Sequence, residues 1–338
     1  MLDDQTFGEL SLFLVIEAIV NNISRFGVDR LILNSGTSAI SLPIRRHAFS
    51  IGVVISIGLG IVLILGQPFW LALSVISGIG AGQFYILIVG KRLHDLTSYN
   101  RHRLLEFLFR FSVLGICSYL GVNAFGYCIS IGYAVLVTWQ ILRAESWNIG
   151  GLKEYNRFSL FALYSMIVFL LTGIDRILIS HELGVEIQGI YSKYLSVVGV
   201  MSFAYLFIGF VFEPRIYAER GNHSLKQYIS LSTLGNVVIF GGVFLFQDYF
   251  FYNPDYHLLV ALGALFLLYP FEFGLIYHLT KKKAIRIVTL QQLVQLVIVV
   301  ILSSVLGFNS PLQLVFFILI AKTVSLFAGT IYCNVATV

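Results

Sequence analysis

The residues most able to do chemistry in this chain are the charged side chains that interrupt long apolar segments. Glu17 lies in the middle of such a segment, and Asn21 and Arg25 follow it at intervals of four residues, on one face of a predicted helix. A charged group at the centre of a bilayer costs at least about 2.5–3.5 kcal/mol on insertion scales. This face predicts a polar stripe that faces a wet cavity; the alternative is a packing seam in which a neighbouring residue hydrogen-bonds Glu17.

A second charged group is formed by Asp175 and Arg176, in the outer third of another apolar segment. Thr172 and Ser165 precede Arg176 by four and eleven residues and extend the same polar face. An arginine can hold a phosphate through its fork of N–H groups, and the adjacent carboxylate can tune it or bind a cation. Alternatively, Arg176 extends to the membrane surface beside a structural aspartate. Residue spacing favours neither interpretation.

Other charged residues in apolar segments are expected to pair with each other. Lys322 lies near the middle of its segment, and Glu272 follows Pro270, which we predict to interrupt its helix. We expect Lys322 and Glu272 to form a structural pair across helices, with a functional role as the alternative. Glu106 and Arg110 are four residues apart, a spacing that predicts a pair on one helix.

The segments that carry these residues have the length and composition of membrane helices. The 338 residues are 58% hydrophobic and only 12% charged, whereas a soluble domain has about 25% charged residues. Apolar runs of about 20 residues span the hydrocarbon core as helices. The sequence predicts eleven such spans, at 7–24, 48–66, 69–90, 104–121, 123–142, 158–180, 188–212, 227–246, 257–280, 287–306 and 312–332. The predicted fold class is an all-α integral membrane protein.

The composition argues against several classes of function. The net charge of +5 comes from basic residues confined to particular loops, which indicates membrane topology rather than nucleic-acid binding. The cysteines Cys117, Cys128 and Cys333 lack metal-ligand spacing, so we expect neither a metal site nor a cofactor. The predicted outer loops hold about ten residues or fewer, shorter than a usual catalytic lid. We therefore expect a protein that is not an enzyme.

The basic residues fix the predicted orientation. Eighteen of the 22 Lys and Arg residues lie in or beside alternate loops: Arg25, Arg30, Arg45, Arg46, Lys91, Arg92, Arg101, Arg103, Arg143, Lys153, Arg157, Arg215, Arg220, Lys226, Lys281, Lys282, Lys283 and Arg286. The intervening loops carry acids instead. The positive-inside rule places the basic loops in the cytoplasm, so the N-terminus is predicted outside and the C-terminus inside.

A weak internal repeat indicates two lobes. The sequence LDDQTFGELS at 2–11 and the sequence LGVEIQGIYS at 183–192 each place a leucine, a short polar stretch and a glycine before an apolar helix. We predict an N-terminal lobe of five helices at 1–142, a cytoplasmic linker at 143–157 and a C-terminal lobe of six helices at 158–338. Two lobes of six helices would need one more helix ahead of Met1, which we expect in the native gene or its close relatives.

The segment from Asp175 to Tyr217, with Asp175-Arg176, Leu183-Gly184, the run GIYS at 189–192 and the run PRI at 214–216, resembles the polysaccharide (O-antigen type) flippases. These belong to the multidrug/oligosaccharidyl-lipid/polysaccharide exporter superfamily. Residues 7–30 look like the second helix of the same family, and no counterpart of the family's first helix is found. The resemblance implies two pseudo-repeated lobes around a central cavity and alternating access for a lipid-linked sugar.

The resemblance implies a flippase that moves a polyprenyl-pyrophosphate-linked oligosaccharide across the bacterial inner membrane for surface polysaccharide (O-antigen, lipopolysaccharide) synthesis. The implied partners are this substrate and membrane lipids, with H⁺ or Na⁺ as candidate coupling ions and no nucleic acid. The implied substrate-binding residues are Arg176, Asp175, Glu17, Arg25, Asn21 and Thr172. The alternatives are a multidrug/cation antiporter of the same superfamily, a membrane glycosyltransferase or polysaccharide polymerase, and an N-terminally truncated, inactive reading frame.

The predicted topology can be tested by single-cysteine labelling. We expect the loops 91–103, 143–157 and 280–286 in the cytoplasm and the loops 181–187 and 247–256 outside, because of the one-sided distribution of Lys and Arg. In a background without the native cysteines, a membrane-impermeant thiol reagent added outside should label a cysteine at position 253 and not one at position 98. Equal labelling of both positions from the same side would refute the map.

Overall fold

The computed structural model of the chain describes residues 3–25, 69–89, 96–117, 120–142, 159–218, 222–251, 253–281 and 285–335. Within these ranges all regular structure is helical, which confirms the predicted all-α fold class. The helices are α1 (Asp4–Arg25), α2 (Phe69–Val89), α3 (Leu96–Cys117), α4 (Val122–Leu142), α5 (Ser159–Leu183), α6 (Val185–Val198), α7 (Met201–Ala218), α8 (His223–Leu245), α9 (Gln247–Phe250), α10 (Tyr256–Lys281), α11 (Ile285–Leu306) and α12 (Pro311–Val335).

Most of the described helices can cross a membrane. Seven of them, α1, α2, α4, α8, α10, α11 and α12, are long and apolar enough to do so by themselves. The pair α6 and α7 forms an eighth candidate, bent by 48°. The predicted spans 104–121 and 158–180 coincide largely with helices α3 and α5. The predicted span 48–66 lies outside the described residues.

The predicted span at 188–212 corresponds to two helices, α6 and α7, that meet at a bend of 48°. Helix α6 ends at Val198, and the amide N–H of Gly199 closes its last turn on the carbonyl oxygen of Leu195 at 2.7 Å. The connection predicted at 181–187 is shorter than expected, because α5 continues to Leu183 and α6 begins at Val185, and its predicted location outside the membrane stays a prediction. Only Gly184 separates them, and its φ of 94° is a conformation that glycine adopts without steric cost.

The predicted interruption at Pro270 is wrong, because α10 continues through this residue. Proline lacks an N–H group, so in a helix it leaves the carbonyl four residues earlier without its usual partner. That carbonyl belongs to Phe266, and the side-chain amide of Asn236 in α8 donates to it at 2.8 Å. Asn236 is fully buried. A side chain from a neighbouring helix therefore replaces the missing backbone hydrogen bond and lets α10 remain unbroken.

The chain divides into two compact units, Met1–Gly173 and Ile174–Val338. In the first unit, α1 packs closely against α2 where α2 presents two glycines. A Cβ added at Gly78 would lie 2.6 Å from the carbonyl oxygen of Glu17, and one at Gly82 would lie 1.8 Å from the hydroxyl oxygen of Ser24. The absence of side chains at Gly78 and Gly82 therefore lets the two helices pack closely. The core beside them contains Phe13, Phe84, Phe125 and Tyr133.

The second unit has its own core. Buried residues of α6, α7, α10 and α12 meet there, and they include Tyr191, Met201, Leu262 and Val315. The boundary between the two units falls inside α5. The linker predicted at 143–157 lies outside the described residues, so the predicted domain boundaries stay a prediction.

The bond between Asn236 and Phe266 can be tested by a double-mutant cycle. Asn236→Leu should lower the free energy of unfolding by about 1–3 kcal/mol, because it leaves the buried carbonyl of Phe266 unpaired. In a Pro270→Ala background the helix can make its own bond to that carbonyl, so the same substitution should cost clearly less. Denaturant titrations in detergent micelles measure the four stabilities. Equal costs in the two backgrounds would contradict this role for Asn236.

Candidate functional site

The first unit buries Glu17 completely and provides it with two partners. The Glu17 side chain has 0% exposure. The hydroxyl of Ser77 in α2 donates to its Oε1 at 2.9 Å, and Arg110 in α3 donates to its Oε2 at 2.6 Å. The Arg110 side chain is 33% exposed. Glu17 is therefore the neutralised centre of a three-helix contact, as in the packing-seam alternative, and its predicted place in a substrate path stays a prediction.

The predicted pair of Glu106 with Arg110 is wrong, because each residue has another partner. Arg103, one turn earlier in α3, binds Oε2 of Glu106 at 2.5 Å, and the hydroxyl of Tyr133 in α4 donates to Oε1 at 3.0 Å. Arg110 instead binds Glu17 of α1. The carboxylate of Glu17 is fully buried, so a nearby positive charge stabilises it strongly.

The predicted polar face of α1 continues from Glu17 to its C-terminal end. The Nε–H group of Arg25 donates to the side-chain oxygen of Asn21 at 2.8 Å. The guanidinium of Arg25 also lies 3.8 Å from the centre of the Tyr85 ring, close enough for a cation–π interaction. Asn21 and Arg25 thus contact each other as the spacing predicts, and their predicted role in substrate binding is not tested by these contacts.

In the second unit, Asp175 is held by two hydrogen bonds. The hydroxyl of Tyr191 in α6 donates to Oδ2 at 2.6 Å, and the backbone N–H of Arg176 donates to Oδ1 at 2.8 Å. Tyr191 is fully buried. One turn from this bond, the amide of Gln188 donates to Ser192 at 2.8 Å. The Gln188 amide oxygen is buried and has no hydrogen-bond partner among the described residues.

The guanidinium of Arg176 forms an ion pair with this carboxylate, and Nε makes no hydrogen bond to it. Its Nε lies 3.8 Å from Oδ1 of Asp175, beyond hydrogen-bond distance, and its side chain is 23% exposed. Thr172, one turn earlier, donates its hydroxyl to the carbonyl oxygen of Phe169 in its own helix at 2.9 Å. The side chain of Ser165 lies outside what the structure describes. Asp175 is thus fixed by Tyr191 and the backbone, and its contact with the guanidinium of Arg176 is an ion pair without a hydrogen bond.

The predicted pair of Glu272 and Lys322 is confirmed. The ammonium of Lys322 in α12 binds Oε2 of Glu272 in α10 directly. The amide of Gln292 in α11 donates to the other oxygen, Oε1, at 3.0 Å. The ammonium also lies 4.0 Å from the centre of the Tyr269 ring. Both charged side chains are almost fully buried, so each depends on the other for neutralisation.

Sequence reasoning missed the partners that come from other helices. Ser77 donates to Glu17, and Tyr191 donates to Asp175. Both donors are uncharged, so a search for charged residues in apolar segments did not find them. Tyr191 follows Gly189 in the run GIYS, and that run was the available signal. Over the described ranges, no group of three or more His, Cys, Asp or Glu side chains could hold a metal ion.

Solved structures similar to this chain are those of transporters. One, described as the inward-facing conformation of a multidrug resistance MATE family transporter of the MOP superfamily, matches with a TM-score of 0.66 and 11% identity over 99% of this chain and 91% of that one. An outward-facing structure described in the same terms gives 0.64 and 14% over 98% and 86%. A MATE structure in complex with MaD3S gives 0.60 and 13% over 98% and 88%.

These identities are low, so the likeness shows the fold alone: the chain has the two-lobed helical fold of the MATE transporters. The predicted superfamily stays a prediction. The O-antigen-type family within it stays a prediction. No protein-family model and no curated protein matches the sequence.

The ion pair of Glu17 with Arg110 should be required for stability of the first unit. Arg110→Met should lower the free energy of unfolding by about 3–5 kcal/mol, because it leaves a buried carboxylate without a counter-charge. Adding Glu17→Gln to the same chain should recover part of that loss, since no unpaired charge then remains. Denaturant titration in detergent micelles provides the measurement.

A matched control for this cycle is Arg103→Met on the same helix. The Arg103 side chain is 42% exposed and its partner Glu106 keeps the bond from Tyr133. Its loss should cost about 1 kcal/mol or less. If Arg103→Met and Arg110→Met destabilise the protein equally, the Glu17 pair has no special importance.

Proposed function

We propose that this chain is an exporter that moves a polyprenyl-pyrophosphate-linked oligosaccharide from the cytoplasmic to the outer leaflet by alternating access. The observation that carries the proposal is the arrangement of Asp175, Arg176 and Tyr191 in the second unit. It places the partly exposed guanidinium of Arg176 3.8 Å from the carboxylate of Asp175, which Tyr191 of a second helix also holds. The sequence resemblance to O-antigen flippases supports the same cargo.

The chemistry of the cargo explains the choice of Arg176 as its anchor. A pyrophosphate presents several negative non-bridging oxygens, and the guanidinium fork can bind two of them through two parallel hydrogen bonds. Tyr191 and the backbone N–H already satisfy Asp175. Asp175 therefore lowers the cost of keeping Arg176 in the membrane without occupying its N–H groups in a direct hydrogen bond.

The remaining proposed binding residues lie in the first unit. Arg25 and Asn21 form a joined polar pair at the end of α1 that can contact phosphate or sugar hydroxyls. In this proposal the buried Glu17 acts indirectly. It binds Arg110, whose side chain is partly exposed. Thr172 adds a hydroxyl one turn before Arg176.

The proposal includes a cellular setting and an energy source. The chain would lie in the bacterial inner membrane with its C-terminus in the cytoplasm, because the basic loops are predicted on that side. Its other partners would be membrane lipids, and H⁺ or Na⁺ would drive the cycle. The products would be intermediates of O-antigen or lipopolysaccharide synthesis.

A multidrug antiporter is the second candidate function. It is supported by the fold likeness, because two of the similar structures are described as multidrug resistance transporters. Such a protein would bind organic cations and would need exposed acids. Four acids within the helices, Glu17, Glu106, Asp175 and Glu272, are each buried and hydrogen-bonded, which favours the anionic cargo.

The two functions are separated by one reconstitution experiment. Purified protein in liposomes would be given a fluorescent lipid-linked oligosaccharide on one leaflet, and a membrane-impermeant quencher would report its appearance on the other. In parallel, efflux of ethidium would be measured. The proposal predicts lipid transfer above that of empty liposomes and no ethidium efflux. Efflux without lipid transfer would establish the multidrug alternative.

Arg176 gives the residue-level test of the proposed function. Arg176→Ala should reduce transfer of the lipid-linked oligosaccharide by at least tenfold at unchanged membrane expression, because the phosphate loses a charge-assisted contact worth about 1.5–3 kcal/mol. Arg176→Lys keeps the charge without the fork, so partial activity is expected.

The matched control is His181→Ala in the same helix, whose side chain is 80% exposed. It should transport at the wild-type rate. Wild-type rates in Arg176→Ala would remove this residue from the mechanism and would indicate an arginine that only reaches the membrane surface.

A further inference from the structure

The second unit contains a buried charge cluster that takes no part in the proposed cargo binding. Lys322 of α12 is 2% exposed and Glu272 of α10 is 6% exposed. The lysine ammonium binds Oε2 of the glutamate, and the ring of Tyr269 lies 4.0 Å from the ammonium on the same helix as Glu272. An isolated charge at this depth would be strongly unfavourable, so the two groups are present because they neutralise each other.

The surroundings of this pair have the features of a site for a monovalent cation. Glu272 supplies a carboxylate, and its second oxygen is fixed by the Gln292 amide at 3.0 Å. The Tyr269 ring presents its negative face to the ammonium. Tyr205 and Phe273 stack nearby, with Tyr205 5.5 Å from Tyr269 and 5.2 Å from Phe273, and these rings keep water away.

Helix α11, which carries Gln292, also carries two buried amide oxygens without a hydrogen bond among the described residues. Gln291 and Gln295 are 4% and 3% exposed, and their amide oxygens have no partner among the described residues. Gln291 packs against Gly329 of α12, at 3.4 Å from a Cβ built there. Because α11 and α12 form an antiparallel hairpin, Gln295 lies about one helical turn nearer to Lys322 than Gln291 does. Amide and carboxylate oxygens are the ligands that hard cations prefer.

From these contacts we infer that the ammonium of Lys322 is a built-in cation, which occupies at Glu272 the position that an exchangeable Na⁺ would otherwise take. The wild-type protein then has no Na⁺ requirement at this site. Removal of the ammonium opens the site, and Na⁺ enters to neutralise Glu272. The inference concerns the second unit alone and holds whether or not the cargo is a lipid-linked sugar.

The test compares thermal unfolding of purified protein in NaCl and in N-methyl-D-glucamine chloride of equal ionic strength. The variants are Lys322→Met, Lys322→Gln and the double variant Lys322→Met/Glu272→Gln. Na⁺ should raise the Tm of both single variants by about 3 °C or more at tenfold excess over its Kd, because a ligand that binds only the folded state stabilises it. The wild type and the double variant should show no difference between the two salts.

Each result decides the inference. The double variant carries neither charge, so it controls for the change of shape at position 322. If the single variants fold only when purified in NaCl, Na⁺ has replaced the ammonium. Single variants that unfold at the same temperature in both salts, or that fail to fold in both, contradict the inference. So does a stability that follows pH but not Na⁺, or a Na⁺ effect in the wild type that Glu272→Gln removes.

Discussion

A charge inside a bilayer must be met by a partner, and this requirement governs the described structure. Glu17, Glu106, Asp175 and Glu272 are buried within helices, and each carboxylate accepts two hydrogen bonds. Most of the donors come from a neighbouring helix or from the adjacent turn. Because loss of one partner would leave a bare charge, these pairs determine which helices pack together as well as how tightly.

The same requirement separates residues that hold the fold from residues that can bind a ligand. Arg110 and Lys322 are taken up by Glu17 and Glu272, so they contribute mainly to packing and local charge balance. Arg176 differs, because the carboxylate beside it is satisfied by Tyr191 and by a backbone N–H group. The Arg176 side chain is partly exposed and can contact an anionic cargo, and the proposed function rests on this position.

The sequence was sufficient for the features that depend on local spacing. The all-α membrane fold, the contact of Asn21 with Arg25 and the buried pair of Lys322 with Glu272 all follow from apolar length, helical period and the cost of an unpaired charge. It was not sufficient where a partner comes from a distant segment. Arg110 lies 93 residues from Glu17 in the sequence. Asn236 of α8 donates a hydrogen bond to the carbonyl in α10 that Pro270 leaves without a backbone partner. No periodicity within one helix carries such information.

The central claim is that the chain recognises the pyrophosphate of a lipid-linked sugar. Its most direct test is equilibrium binding to the purified protein of a polyprenyl-pyrophosphate oligosaccharide and of the same molecule with a neutral ether in place of the pyrophosphate. A charge-assisted contact of about 1.5–3 kcal/mol predicts that the neutral molecule binds at least about tenfold more weakly. Equal affinity for the two molecules would contradict the account.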